Sequence, residues 1–487
     1  MNHFYAVHIG LGAFHRAHQL YYFNELLKTT NKSKASPTWH YISATIRSNK
    51  TLIDHLNQQN CRYTLLEEDD SHLICNQIHA LEKALFAGEG KSHALIDYIA
   101  NTSTKIITYT VTEKGYYANL SDNTFQIDHI DIIHDINNKK SPKTAIGVTV
   151  WGLYKRYTSH QKGITLISCD NLPNNGKILR QAILSFAQKI NSEFSAWIKT
   201  HCTFPSSMVD RIVPAVTDKD LKKVHAHIDY IDLVPVITEK FSQWVIENNF
   251  ASDKPPLESV GVQFVDDVSP FESMKLTMLN GAHSLIAYLG SLAGFKTVCD
   301  AINNPLIYNL IHYYMTTVAA PLVKRLPKEV SLMEYRNQLL KRFKNPHLAH
   351  QTEQIAADGS QKIPQRWLHN LCQLIDKQQN YDLYALGIAA WIIFTQGYDD
   401  HGNILMVNDP LKHQFGFFDN PYTNAYQIVE HYFALDKVFS SSLRENIALK
   451  EKVLNYIKSI KQQGTLSCIQ DLLENISTTR ELIKVKQ

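Results

Sequence analysis

The sequence predicts an α/β fold, a doubly wound parallel sheet followed by a mostly α-helical C-terminal domain, and three observations predict it. Short β-branched and aromatic runs alternate with amphipathic stretches through the first half. Two glycines stand where the first of those runs meets the first amphipathic stretch, and from about Phe271 onward helical periodicity takes over. At 487 residues the chain is too long for one ordinary core, so two domains are expected, residues 1–268 and 269–487.

In chain order, "YAVHIG", "HYISATI", "KIITYTVT" and "GITLISCDN" read as buried strands, and "AHQLYYFNELLK", "TLIDHLNQQ" and "GKILRQAILSFAQKI" as the helices between them. "HDINNKKSPKT" and "ASDKPPLESV" read as exposed loops. The second half offers "MKLTMLNGAHSLIAYLGSLAG", "NPLIYNLIHYYMTTVAAPLV", "SLMEYRNQLLKRF", "YDLYALGIAAWIIFTQG" and the tail from Leu443 to Leu473 as helices.

Composition excludes several classes of partner. A formal charge of +3, with the lysines scattered, gives neither nucleic acid nor an anionic membrane a patch to bind. Seven cysteines without a C-x-x-C pair fit reduced thiols in a reducing compartment. No stretch has the pattern of a secretory signal or an apolar run long enough to span a bilayer, and a cytoplasmic protein is expected.

"VHIGLGAFHRAHQ" places Gly10 and Gly12 between a strand and a helix expected to begin near His15. A dinucleotide-binding turn needs glycines there, one for the tight turn and one so that backbone can approach a pyrophosphate. The match points to a Rossmann-type first domain, with Gly10, Gly12, Ala13 and Phe14 as cofactor contacts, or to no more than a tight strand-to-helix turn, since His15 stands where the usual third glycine would be. His15 and His18 lie one helical turn apart, but no third ligand at recognisable spacing accompanies them, so a polar helix face is the better reading than a metal site. "SATIRSNK" sets Arg47 and Asn49 where the adenosine ribose would lie. An acidic residue there would favour NAD and an arginine can accommodate the 2′-phosphate of NADP, so the choice of cofactor stays open.

"KLTMLNGAHSLIAYLG" raises a different question. On a wheel of about 100° per residue, Leu279, Ala282, Leu285, Ile286 and Leu289 form one stripe. Lys275 falls within the stripe, and Asn280 and His283 flank it on one side. Burial disfavours a charged amine, which would suit Lys275 to proton transfer near neutral pH. A lysine that snorkels from the core edge is the alternative.

The chain resembles the polyol-specific long-chain dehydrogenase/reductase family over nearly its whole length. The resemblance is seen in "GLGAFHRAHQ", "YTVTEKGYYAN", "ISCDNLPNNG", "FPSSMVDRIVPA", "QWVIENNF", "VQFVDDVSPFESMKLTMLNGAHSLIAYLG", "FKNPHLAHQTEQIAADGSQKIPQRW" and "TQGYDDHGN", in that order. It implies an NAD(P)-dependent dehydrogenase/reductase acting on a secondary CH–OH group without a metal. Lys275 would be the general acid/base, Asn171 and Asn280 an oxyanion hole, His283 a substrate-positioning group, and Glu113 part of a proton path. Asp210 matches an acidic residue near the active site, with an ion pair to Arg211 as the alternative.

Within the family, Lys362 and Arg366 of "DGSQKIPQRW" lie four apart and resemble the hexuronate-reducing branch, where a carboxylate gives such a cation pair something to hold, with two solvent-facing cations as the alternative. The implied reaction is interconversion of D-fructuronate and D-mannonate, with NAD(H) ahead of NADP(H). Mannitol/fructose and tagaturonate/altronate are the nearest alternatives. The partner implied is a small sugar acid or polyol. Family members are often monomeric, and the sequence itself does not decide the oligomeric state. A catalytically silent nucleotide- or sugar-sensing protein of this fold is disfavoured because Lys275, Asn171, Asn280 and His283 are all present. A metal hydrolase is disfavoured because no HExxH occurs.

Overall fold

The computed structural model describes residues 3–30, 37–69, 73–119, 124–159, 162–327, 330–348, 350–416 and 425–485. Two compact units make up the chain, Met1–Phe271 and Glu272–Gln487.

The first unit is built on five parallel strands. β1 (His3–Ile9) lies at the centre and pairs on one side with β2 (Thr38–Thr45) and on the other with Thr104–Tyr109. Leu81–Phe86 continues the sheet beyond β2, and Thr165–Ser168 beyond Thr104–Tyr109. Numbered along the chain, the strands run 3-2-1-4-5 across the sheet, the order of a dinucleotide-binding fold. Alternation along β1 sends Val7 and Ile9 into one apolar cluster and Ala6 into another, because helices cover both faces. Each Val, Ile or Leu buried there contributes about 1.5–3 kcal/mol.

Two three-stranded sheets also belong to this unit. One joins Ser207–Asp210, Gln243–Glu247 and Gln263–Val265, and the other joins Val236–Thr238, Tyr63–Glu68 and Leu73–Ile78. The strand Tyr63–Glu68 escapes the sequence reading because Glu67 and Glu68 break its apolar pattern. Both carboxylates are buried and paired, with Arg211 and Lys223.

One expected loop is a helix. His134–Asn137 belong to the helix Ile130–Asn137, and Asp135 is fully buried. Its carboxylate accepts from Lys143 N (2.7 Å), Thr144 N (2.8 Å) and Thr144 Oγ1 (2.7 Å), tying the following turn to the helix. A polar sequence here marks a satisfied internal anchor, not solvent exposure.

The second unit is helical. Lys275–Asn280 runs on into Gly281–Leu292 as one continuous helix, and Gly281–Leu292 packs against Asp382–Phe394. Gly281–Leu292 is buried on every side, as is Asp382–Phe394 from Leu383 onward, so each is a central rod of the core. Among the described residues no helix is long and apolar enough to cross a membrane.

Candidate active site

Gly10 sits where the strand order reverses, just past β1 and beside Thr110, which follows Thr104–Tyr109. That crevice at the carboxyl ends of the strands is where open α/β sheets take their ligands. Gly10 has φ +111°, and a Cβ there would stand 2.0 Å from the carbonyl oxygen of Thr110. Only glycine fits. Above Gly12 the space is open, and a Cβ would meet nothing closer than Gly10 O at 3.8 Å. One glycine therefore closes the turn and the other keeps it bare, which fits the approach of a dinucleotide pyrophosphate.

The helix after the turn starts earlier than expected and is short. α1 (Ala13–Ala17) ends at His18, and α2 (Gln19–Thr30) resumes the path. Ala13 and Phe14 open α1, and Phe14 stacks on His18 at 5.1 Å.

His15, at the missing third glycine, is fully buried. Its ring stacks on His8 with centroids 3.4 Å apart and planes 3° apart, and it bonds Ser43 Oγ (3.0 Å) and Gln19 Oε1 (3.2 Å). His18 is buried as well, bonded to Gln243 O at 2.9 Å. The polar face expected at the helix start is thus buried in the core, its histidines bonded to other side chains and backbone. Among the described residues no cluster could hold a metal ion. Burial pushes His8 down to about 3, and His15 well below the usual histidine range, so both rings are neutral.

Arg47, two residues beyond β2, is held in place. Its guanidinium donates to the Asp131 carboxylate and to the Tyr117 hydroxyl, and lies over the Tyr117 ring. Tyr117 also donates to Asp131, at 3.0 Å. Asn49 caps the next helix in the left-handed region, with φ 65°.

At the same sheet edge, Asn171 is exposed three residues past the end of Thr165–Ser168. Its neighbour Asp170 was not singled out by the sequence, yet it organises this edge. Asp170 accepts from Val111 N (2.9 Å), Thr112 N (2.9 Å) and Tyr116 Oη (2.6 Å). It thereby fixes the turn that starts at Glu113. Thr112, a β-branched residue at φ 63°, is strained there, and such a conformation costs of order 1–3 kcal/mol. Asp210 is buried at the end of its strand, opposite Gln243. Arg211, the partner in the alternative ion-pair reading of Asp210, pairs with Glu67.

In the second unit Lys275, Asn280 and His283 are 8%, 5% and 7% exposed. They lie on or next to a π-helical segment, Lys275–Asn280, so a wheel of 100° per residue does not apply to it. Widening the helix shifts its carbonyls, and side chains from elsewhere in the unit accept the task of satisfying them. Tyr314 Oη donates to Thr277 O (2.8 Å), Arg366 to Asn280 O (3.4 Å) and Trp367 Nε1 to Gly281 O (3.1 Å). Arg366 also donates to Ser284 Oγ at 2.9 Å, and Lys362 to Ile355 O at 3.1 Å.

His283 is buried beside the Arg366 anchor. Burial pushes its pKa well down, and His350, Arg366, Arg342 and Lys275 push the same way. Its ring packs on Phe343 (4.6 Å) and meets the His350 ring edge-on (5.8 Å, 87°). Arg342 and His350 were missed by the sequence reading; the only signal was their place on either side of "KNPHLA".

A bare glycine turn at the switch point of a 3-2-1-4-5 sheet, with a buried lysine, asparagine and histidine on a helical second unit, defines a Rossmann-type oxidoreductase. Family models place it more closely. Residues 4–259 match the mannitol dehydrogenase Rossmann domain and residues 267–461 the mannitol dehydrogenase C-terminal domain. The chain belongs to the mannitol dehydrogenase family and is a dehydrogenase/reductase acting on a secondary CH–OH group.

It is 36% identical over 468 residues to D-mannonate oxidoreductase of Escherichia coli (strain K12), which covers 96% of this chain and 95% of that one. It is also 36% identical over 416 residues to mannitol 2-dehydrogenase of Neosartorya fischeri, covering 84% and 81%. Among solved structures, the Pseudomonas fluorescens mannitol 2-dehydrogenase ternary complex with NAD and D-mannitol matches with TM-score 0.88 at 32% identity, over 97% of this chain and 95% of that one.

Proposed function

We propose that the protein interconverts D-fructuronate and D-mannonate, using NAD(H), with Lys275 as general acid/base. The first unit would bind the dinucleotide and the second would hold the sugar acid and the proton-transferring lysine. The observation that carries the substrate assignment is the placing of Arg366, which donates to Asn280 O and Ser284 Oγ within one turn of His283, whose ring packs on Phe343, the residue after Arg342. Cationic side chains placed beside the residues that would hold the sugar favour an anionic substrate over a neutral polyol. The likeness to D-mannonate oxidoreductase supports the same choice.

In the reducing direction the ketone carbon gains a hydride, which NADH supplies when bound, and Lys275 gives its proton to the ketone oxygen. Asn280 and Asn171 would donate to that oxygen as negative charge develops, and His283 would hold the adjacent hydroxyl. Glu113 would exchange the proton of Lys275 with water. Asp210 would meet the sugar, and Lys362 and Arg366 its carboxylate. In the oxidising direction each transfer reverses. The glycine pair, Ala13 and Phe14 would bear the dinucleotide, with Asn49 near the ribose and Arg47 paired to Asp131.

The test is oxidation of NADH and NADPH with D-fructuronate, tagaturonate and D-fructose, for wild type and Lys275→Ala. Turnover of fructuronate well above fructose, abolished in Lys275→Ala, is the expected result. Preference for fructose would make the protein a mannitol 2-dehydrogenase, and full activity in the variant would remove Lys275 from the mechanism.

A further inference from the structure

Three buried side-chain nitrogens around His283 have no hydrogen-bond partner among the described residues: Asn280 Nδ2, His283 Nε2 and His350 Nδ1. Each such atom costs about 1–3 kcal/mol if it stays unsatisfied. Asn280 and His283 are three residues apart on one helix, and the His283 ring touches that of His350. All three therefore belong to one neighbourhood, and two of them already have a place in the reading above. His350 does not.

His350 is held rigidly. Its carbonyl accepts from Val298 N at 2.9 Å, and the next residue, Gln351, bridges to Thr297. Burial, with the charge of Lys362 acting in the same direction, brings the imidazole down to about 4. A neutral imidazole donates through only one of its two nitrogens, and beside an ammonium group it makes a receptor for a carboxylate: one point charge and one directed donor. The buried, unpartnered atom on this ring is Nδ1.

We propose that His350 binds the substrate, its Nδ1–H donating to the carboxylate of the hexuronate that Lys362 also holds. The proposal rests on the uronate reading of the site and deepens it, because it names a residue that separates acid from neutral substrates. Removing the donor would weaken acid substrates selectively and leave hydride transfer itself intact.

The experiment is steady-state kinetics of the full-length enzyme with D-fructuronate and with D-fructose, for wild type, His350→Phe and His350→Asn, together with calorimetric titration of D-mannonate. His350→Phe keeps an aromatic ring against His283 and loses the donor. The expected result is a KM for fructuronate raised at least about tenfold, the loss of one hydrogen bond to a charged group, with kcat within about twofold. The KM for fructose should stay unchanged, and mannonate binding should weaken in parallel. His350→Asn, which offers an amide in place of Nδ1, should recover part of the loss. Equal damage to both substrates would show a structural role and overturn the proposal, as would an unchanged KM for fructuronate. Failure of the wild type to reduce fructuronate would overturn the uronate reading itself, and is told apart because it needs no variant.

Discussion

The hydroxyl of Tyr314 donates at 2.8 Å to the carbonyl of Thr277, in the middle of the π-helical segment that begins with Lys275. Tyr314 is fully buried, so no water is at hand to take its place. Tyr314→Phe leaves that carbonyl unsatisfied and should lower stability by about 1–3 kcal/mol. Because the same bond holds the segment bearing Lys275, kcat should fall as well. Chemical denaturation and steady-state kinetics check both; an unchanged kcat would show that the segment keeps its shape without the bond.

Gly281 lies against the same hydroxyl. A Cβ there would stand 2.1 Å from Tyr314 Oη. Gly281→Ala should therefore cost at least about 1–3 kcal/mol through overpacking, although alanine is the better helix former. If the double variant with Tyr314→Phe is no worse than Tyr314→Phe alone, the clash is with the hydroxyl, as the geometry requires. A thermal melt of the three variants decides it.

Asp170 anchors two amides and a phenol around Glu113. Asp170→Ala strands those donors and releases the strained Thr112, so a loss of about 2–3 kcal/mol is expected, with loss of activity out of proportion. Asp170→Asn keeps an acceptor and should retain more of both. Unfolding curves and kcat for the two variants separate anchoring from simple charge removal.

Arg47 is already paired, so its charge is not freely available for a 2′-phosphate, and Asp131 sets a carboxylate one guanidinium away from the end of β2. Asp131→Asn should raise kcat/KM for NADPH relative to NADH by at least about tenfold, about 1.4 kcal/mol for one like charge removed. Fluorescence titration of the two reduced cofactors should shift in the same sense. An unchanged ratio would mean that the ribose lies out of reach of Asp131.

The stacked histidines give the first unit a defined response to acid. His8 is held down at about 3 in the folded chain, against 6.5 when unfolded. Between those values the unfolded chain binds more protons, so stability present above pH 6.5 is lost as pH falls toward 3. At pH 5 the loss is about 2 kcal/mol for one such histidine. His15 is displaced in the same direction and adds to the loss. The denaturant midpoint of the wild type should drop between pH 7 and pH 5, and that of His8→Asn should drop less.

Much of this was legible in the sequence, and the reasons differ by residue. Strands such as β1, buried on both faces, announce themselves as unbroken apolar runs, and Gly10 marks a turn that no other residue could make. Tyr63–Glu68 was hidden because its two buried carboxylates find partners more than a hundred residues away. Asp135 and Asp170 were hidden for a related reason: an internal acid that satisfies backbone amides looks, in one dimension, like any loop aspartate. Lys275 stood out, but the wheel that singled it out assumed α geometry, and the helix there is wider. The near-complete burial of Gly281–Leu292 leaves no polar face from which to read a phase. Arg342 and His350 reach His283 from the far end of an intervening helix, a distance that no local pattern encodes.

Among the described residues of the second unit there are three π-helical segments, Lys275–Asn280, Tyr314–Ala319 and Pro364–Leu368, and the first packs against each of the other two. A π turn is what an α-helix becomes when it takes in one extra residue and keeps its ends where they were. Each segment thus resembles the scar of a single-codon insertion, absorbed without disturbing the helices on either side. On that view the length of each helix is a tuned quantity. Removing one residue from Leu276–Leu279 would restore a regular helix and rotate Lys275 by roughly a quarter turn relative to His283. A chain shortened in this way would keep every side chain of the site and lose their alignment.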